Sequence, residues 1–223
     1  MVRKPATYAE IGVSTGRSLE VISDGTRVVG IDPYPRLGWE PPANVSIHTV
    51  TSDEFFKTRD MAAEIGSSNV DMVFIDGLHT FEQTLLDFIH MESFCHPGTI
   101  LFLHDCLPVT RLTAEKERQT SFWCGDVWKM VPCLHKYRPD LNISTIAASP
   151  SGLVAITNLN PHSKILAGKY NEILAEFNDR TLDYTVIDLQ NNALRSALPS
   201  SPATVATMVE LAKSFDSGRV PAA

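Results

Sequence analysis

No run in the 223 residues approaches the roughly 18 consecutive apolar residues that a membrane helix requires. The opening MVRKPATYAE lacks the apolar core of a secretory signal, so a cytoplasmic protein is expected. Basic runs are missing as well. With 19 Lys+Arg against 26 Asp+Glu the net charge is −7, and that balance repels polyanions and anionic lipid. The expectation is therefore no nucleic acid and no membrane as a partner, but a small molecule. Cysteine is scarce: Cys95, Cys106, Cys124 and Cys133 form no C-x-x-C pair and are too few to staple a chain of this length, which implies reduced thiols. At 43% hydrophobic and 20% charged, the composition excludes disorder and fits a globular domain.

What is present is alternation. Short apolar runs at Tyr8 to Val13, Arg27 to Ile31, Val45 to Val50, Asp71 to Ile75 and Thr99 to Leu103 read as strands separated by helical stretches. This is the pattern of an α/β, Rossmann-like, doubly wound and mostly parallel sheet. One helix is expected from Thr80 to Cys95, stopped by His96-Pro97-Gly98, and another over 52–65 with Ser52 as its cap. Residues 106–142 read as an insertion or lid with one helix around Gly125 to Tyr137. Residues 143–157 read as two strands joined by a Ser-Pro-Ser-Gly turn. Helices are expected at Ser163 to Asn178 and Ala203 to Phe215. The division is a domain over 1–160 and a helical extension over 161–223.

In such a sheet ligands bind beyond the carboxyl ends of the strands, where strand order reverses. Three of the proposed strands end in an acid there: Asp32, Asp76 and Asp105. The first strand runs into YAEIGVSTGRS, whose Gly12 and Gly16 permit a tight bend and close backbone approach. Asp32 then sits where a carboxylate can accept hydrogen bonds from both ribose hydroxyls, indicating a nucleoside-containing cofactor. The bend lacks a third glycine and carries Glu10, which argues against a diphosphate and suits a cationic ligand.

Taken together, E-x-G-x-x-x-G from Glu10 to Gly16, Asp32, FIDGLH and HPGTILFLHD resemble class I S-adenosylmethionine-dependent methyltransferases. The likeness is strongest to bacterial metal-dependent sugar and natural-product O-methyltransferases, and it extends weakly through FWCGDVWK. The resemblance implies a seven-stranded sheet with a reversed terminal hairpin, which residues 143–157 fit. It further implies that Glu10, Gly12, Ser14 and Gly16 line the methionine end, that Asp32 holds the ribose, and that Ser52 and Asp53 lie by the adenine.

Asp76 and Asp105, ending neighbouring strands, pose a charge problem that a divalent metal resolves. Mg²⁺ is the first expectation. Relatives carry a second oxygen ligand after the fifth strand, whereas this chain has His104-Asp105-Cys106. His104 as a ligand leaves Mn²⁺, Zn²⁺ or no metal open. The D-x-x-H spacing from Asp76 resembles the arrangement in which the histidine, here His79, is general base, and the positive end of a following helix would keep its ring neutral. The expected reaction is methyl transfer to a hydroxyl of a small molecule, a sugar unit or secondary metabolite. The rivals are a nicotinamide-dependent oxidoreductase and a non-catalytic cofactor-binding scaffold. With only about seven residues ahead of the first strand, substrate cover must come from the insertion, the C-terminal helices or a second subunit, and a homodimer is expected. Lys129 and Arg138 are candidates for attracting an anionic substrate. Trp123 and Trp128 read as anchors of the insertion.

Overall fold

A computed structural model describes residues 4–22, 24–146 and 148–179. Its strands are β1 (Thr7–Ile11), β2 (Arg27–Ile31), β3 (Val45–His48), β4 (Val70–Ile75), β5 (Cys95–His104), β6 (Asn142–Ile146) and β7 (Leu153–Thr157). The helices are α1 (Ser52–Thr58), α2 (Met61–Ile65), α3 (Phe81–Glu92), α4 (Met130–Tyr137), α5 (Ile165–Gly168) and α6 (Tyr170–Phe177).

All strands join one seven-stranded sheet in the order β3-β2-β1-β4-β5-β7-β6. The first five are mutually parallel, and β7 runs antiparallel to both β5 and β6. This is the Rossmann-like sheet with a reversed terminal hairpin. Strand order turns back between β1 and β4, so the site belongs above that junction. The central strands read as nearly continuous apolar runs because helices cover both faces. Ala9, Val29, Val73 and Leu101 are fully buried.

The helix α3 starts where Thr80 accepts a hydrogen bond from the Gln83 amide, and it buries Phe81, Leu85, Phe88 and Met91 on one face. Each such side chain contributes about 1.5–3 kcal/mol on burial. The helix ends earlier than the sequence implied. Ser93 turns its amide and hydroxyl back onto His90, and His96-Pro97-Gly98 instead bulges at the start of β5, closed by Thr99 accepting from the His96 amide and donating to Val70. The expected helix over 52–65 is two. Thr51 rather than Ser52 caps α1, Arg59 is extended, and Asp60 accepts from Ala62 to begin α2, a local bond that competes with helix continuation.

Between α5 and α6 the helical run expected at Ser163 to Asn178 breaks at Lys169. Leu166, Ile173 and Phe177 pack into the same core as the sheet. The helix expected at Ala203 to Phe215 lies outside the described residues. Lys129 and Arg138 are not free cations: Lys129 is buried against Asp126, and Arg138 is buried between Glu92 and Asp140. Among the described residues, no helix is long and apolar enough to cross a membrane.

Candidate active site

The register sets Ile11 beside both Ile31 and Ile75, and Ile75 beside Leu103. One residue further on, Gly12, Asp32, Asp76 and His104 therefore emerge side by side at the carboxyl edge. The first three border a cavity of about 660 Å³ whose lining includes Gly12, Ser14, Asp32, Ser52, Asp53, Asp76 and His79. Glu10, Gly16, His104 and Asp105 are outside that lining.

Gly12 is required by the approach of two strands. At φ 92° it packs so closely on β4 that a Cβ would lie 2.0 Å from the Asp76 carbonyl oxygen. Ser14 follows at φ 50° and donates its amide to Asp32 Oδ2 at 2.7 Å, while Tyr34 donates to Oδ1 at 2.6 Å. Each carboxylate oxygen accepts more than one hydrogen bond, so Asp32 remains able to take two ribose hydroxyls from the cavity. Glu10 is 1% exposed, accepting from the Tyr8 and Ser18 hydroxyls. Burial, partly offset by those bonds, pushes its carboxyl up to about 7. Gly16 packs under Leu37 and Trp39.

At the other end, Asp76, His79 and Asp105 bring ligand atoms within 4.8 Å of one another. His79 Nδ1 lies 2.9 Å from Asp105 Oδ2 and its Nε2 3.3 Å from Asp76 Oδ1. His104 Nδ1 lies 3.1 Å from the same Asp76 oxygen. Thus His79 completes the compact group that could hold a metal, and His104 supports Asp76 from the side. Burial opposes charge on His79, but the hydrogen bonds and charges of Asp105 and Asp76 outweigh it and push the ring up to about 10. The helix terminus expected to keep it neutral is the weaker influence, because two carboxylates sit closer than the helix's partial charge. Burial alone would raise Asp76, yet its bonds to His104 and His79 hold it well below the usual carboxylate range.

The loop geometry is strained. Ser14, His79 and Asp105 all hold a positive φ without being glycine, a conformation that costs of order 1–3 kcal/mol and gathers at functional sites. The insertion fixes it in place. Trp123 stacks on His79 at 5.5 Å and 20°, and its carbonyl lies 3.1 Å from His79 Nδ1. At Gly125, φ 65°, a Cβ would stand 1.6 Å from the His79 carbonyl oxygen. Asp126 accepts from the Phe81 amide at 2.6 Å and from Lys129 Nζ at 3.0 Å. Sequence reasoning missed Gly125, Asp126, Gln83 and Asp87. The first two follow Trp123 within FWCGDVWK, and the last two stand four apart on the polar side of α3, a spacing that brings their side chains together.

Strand order, glycine bend and switch-point cavity together define a class I S-adenosylmethionine-dependent methyltransferase fold. Residues 9–106, a little under half of the chain, match the family described as a methyltransferase domain. No curated protein matches the chain in sequence. Solved structures share its fold. The O-methyltransferase TomG from Streptomyces achromogenes, involved in tomaymycin synthesis and in complex with SAM, is 16% identical over 70% of this chain and 74% of its own, with a TM-score of 0.52. Cofactor-bound Rv0187 from MTB is 14% identical over 70% and 74%, with a TM-score of 0.54. The SAH-bound Podospora anserina methyltransferase PaMTH1 is 16% identical over 71% and 74%, with a TM-score of 0.51.

The cavity suits that cofactor. Among the described residues it is lined by Asp32, Asp53, Asp76 and Asp87 and by no lysine or arginine, which complements the sulfonium and ammonium charges of S-adenosylmethionine. The nitrogen in the Asp76, His79, Asp105 set suits Mn²⁺ better than Mg²⁺, which prefers oxygen alone.

Proposed function

We propose that the protein is an O-methyltransferase acting on a hydroxyl of a small molecule, with a divalent cation held by the carboxylates of Asp76 and Asp105 beside His79. The observation that carries the reading is the compact Asp76, His79, Asp105 group at the edge of a cavity bordered by Gly12 and Asp32. When bound, S-adenosylmethionine supplies a sulfonium methyl group, and a divalent cation supplies Lewis acidity toward an acceptor hydroxyl.

The chain's own part is orientation. Asp32 and the Gly12 bend hold the nucleoside and amino acid portions, and alignment of nucleophile, methyl carbon and sulfur can contribute about 7–11 kcal/mol. His79 holds protons on both ring nitrogens while Asp76 and Asp105 keep their full charge. Once that charge is offset, the ring is able to accept the acceptor's hydroxyl proton at Nε2. Nδ1 stays turned toward Asp105 and the Trp123 carbonyl.

Transfer of labelled methyl from S-adenosylmethionine to a panel of hydroxyl acceptors, with Mn²⁺ or with chelator, tests this. Metal-stimulated product formation that falls about 10²–10⁴-fold in His79→Ala, with cofactor affinity retained, is the expected result. Turnover unchanged by both chelator and mutation would contradict the roles assigned to the metal and to His79.

A further inference from the structure

The rim around His79 carries a bare apolar surface. Among the described residues seven large apolar side chains are exposed, and four of them, Leu78, Val109, Leu112 and Phe122, belong to the loop that carries His79 and to the 106–142 insertion. Leu78 lines the cavity directly before His79 and is 63% exposed, and Phe122 directly precedes the Trp123 that stacks on His79. Cys124 donates its amide to the Thr113 carbonyl, which draws Leu112 alongside Trp123. The Thr110 amide donates to the Thr113 hydroxyl and keeps Val109 on the same loop, while Lys116 lies 3.5 Å from Glu82 in the first turn of α3. An apolar patch of this kind marks a surface that is covered in the working protein.

The last described residues stand beside that rim. The Phe177 ring packs 5.6 Å from that of Phe81, two residues beyond His79. Lys129 Nζ donates to the Asn178 carbonyl at 2.8 Å and to Asp126, which accepts from the Phe81 amide. Residues 180–223 therefore set out from the start of α3, next to the loop that carries His79. Within them Val205, Met208, Val209, Ala212 and Phe215 recur at helical spacing, while Thr207, Glu210 and Ser214 fall on the opposite side. An isolated helix shorter than about 12–15 residues is marginal in water, so such a stripe needs a face to bury against. Tethering favours a face on the same chain over one on a second copy, because a linked partner is presented at roughly millimolar effective concentration.

We propose that residues 203–215 dock as a helix on Leu78, Val109, Leu112 and Phe122 of the same chain and close the acceptor side of the cavity over His79. The inference rests on the reading of the His79 end as the acceptor end, and it gives that end a cover that the insertion, with its own apolar side chains bare, does not supply. Closure keeps water from the reacting groups and strengthens the electrostatics among them.

Photo-cross-linking on the full chain tests the docking. With the photoreactive p-benzoylphenylalanine at position 122, irradiation should join the insertion to a peptide from 203–215 in a band of one chain length. A band of two chain lengths, a cross-link confined to other segments, or none would overturn the proposal. Hydrogen exchange supplies a second test. In the full chain carrying Met208→Asp, amides of residues 77–80 and 109–123 should exchange at least about tenfold faster than in the wild type, with those of β1 and β2 unchanged. Equal exchange at 77–80 and 109–123 in the two proteins would likewise contradict the docking. Neither readout needs turnover. A docked helix in a protein that methylates no hydroxyl would count against the activity reading alone, and an active protein without the cross-link would count against the docking alone.

Discussion

The Asp32 end of the cavity is made from loops that each leave a strand directly, whereas the His79 end depends on residues brought in from the 106–142 insertion. Gly12, Ser14 and Asp32 belong to consecutive strand ends and fix one another through Ser14 to Asp32 and Gly12 to β2 bonds. His79 is held instead by Trp123 and Gly125, and the start of α3 by Asp126, all more than forty residues away in sequence. The difference teaches that binding of the cofactor and placement of the reactive group are separable in this fold. Damage to the insertion should spare the first and abolish the second.

The sharpest break is Gly125→Ala. Its new methyl cannot avoid the His79 carbonyl oxygen, so the insertion should undock, with Mn²⁺ binding lost and S-adenosylhomocysteine binding kept within about threefold, one hydrogen bond being worth more than that. Parallel titrations check both. Next comes Asp126→Ala, which strands the buried Lys129 ammonium and removes a bond to the first amide of α3. Denaturant unfolding should report a loss of about 3–5 kcal/mol. At the other end, Asp32→Ala should weaken S-adenosylhomocysteine about 10–100-fold without altering Mn²⁺ affinity.

Two smaller effects are set by protons. A cation entering between Asp76 and Asp105 competes with the protons held on His79, so Mn²⁺ affinity should rise from pH 6.5 to pH 8.5 with proton release in calorimetry. Glu10 has a folded value of about 7 against an ordinary 4.5, and Asp87 about 6 against 3.8. Because both are raised, their stabilising contribution is complete below the ordinary values and is lost as pH climbs through the folded ones. The thermal midpoint should fall by about 2–4 °C per kcal/mol lost between pH 5 and pH 8, and Glu10→Gln should flatten that slope.

The meeting of Gly12, Ser14 and Asp32 at one cavity was legible because its signals are local: an apolar run, a glycine and a terminal acid lie within a few residues of each other. The closeness of His79 and Asp76 follows from equally local spacing. The identity of the residue that completes the metal-competent group was not legible, since strand register sets His104 level with Asp76 while a positive φ turns Asp105 inward. Neither feature is written in the spacing His104-Asp105. Expecting a neutral His79 failed on distance: carboxylates from two different strands outweigh a helix end. The buried pair of Arg138 was hidden because its partner Glu92 comes from another element, whereas Lys129 stands only three residues from Asp126 and it was the burial of that pair, with the Asn178 carbonyl closing over it, that spacing did not reveal.

Calorimetric titration of the wild-type protein with S-adenosylhomocysteine, beside NAD under identical conditions, addresses the central claim most directly. The acid-lined cavity at the β1 and β4 switch point predicts micromolar binding of S-adenosylhomocysteine, lost in Asp32→Ala, and no measurable heat from NAD. Binding of NAD in its place, or S-adenosylhomocysteine affinity indifferent to Asp32, would contradict it.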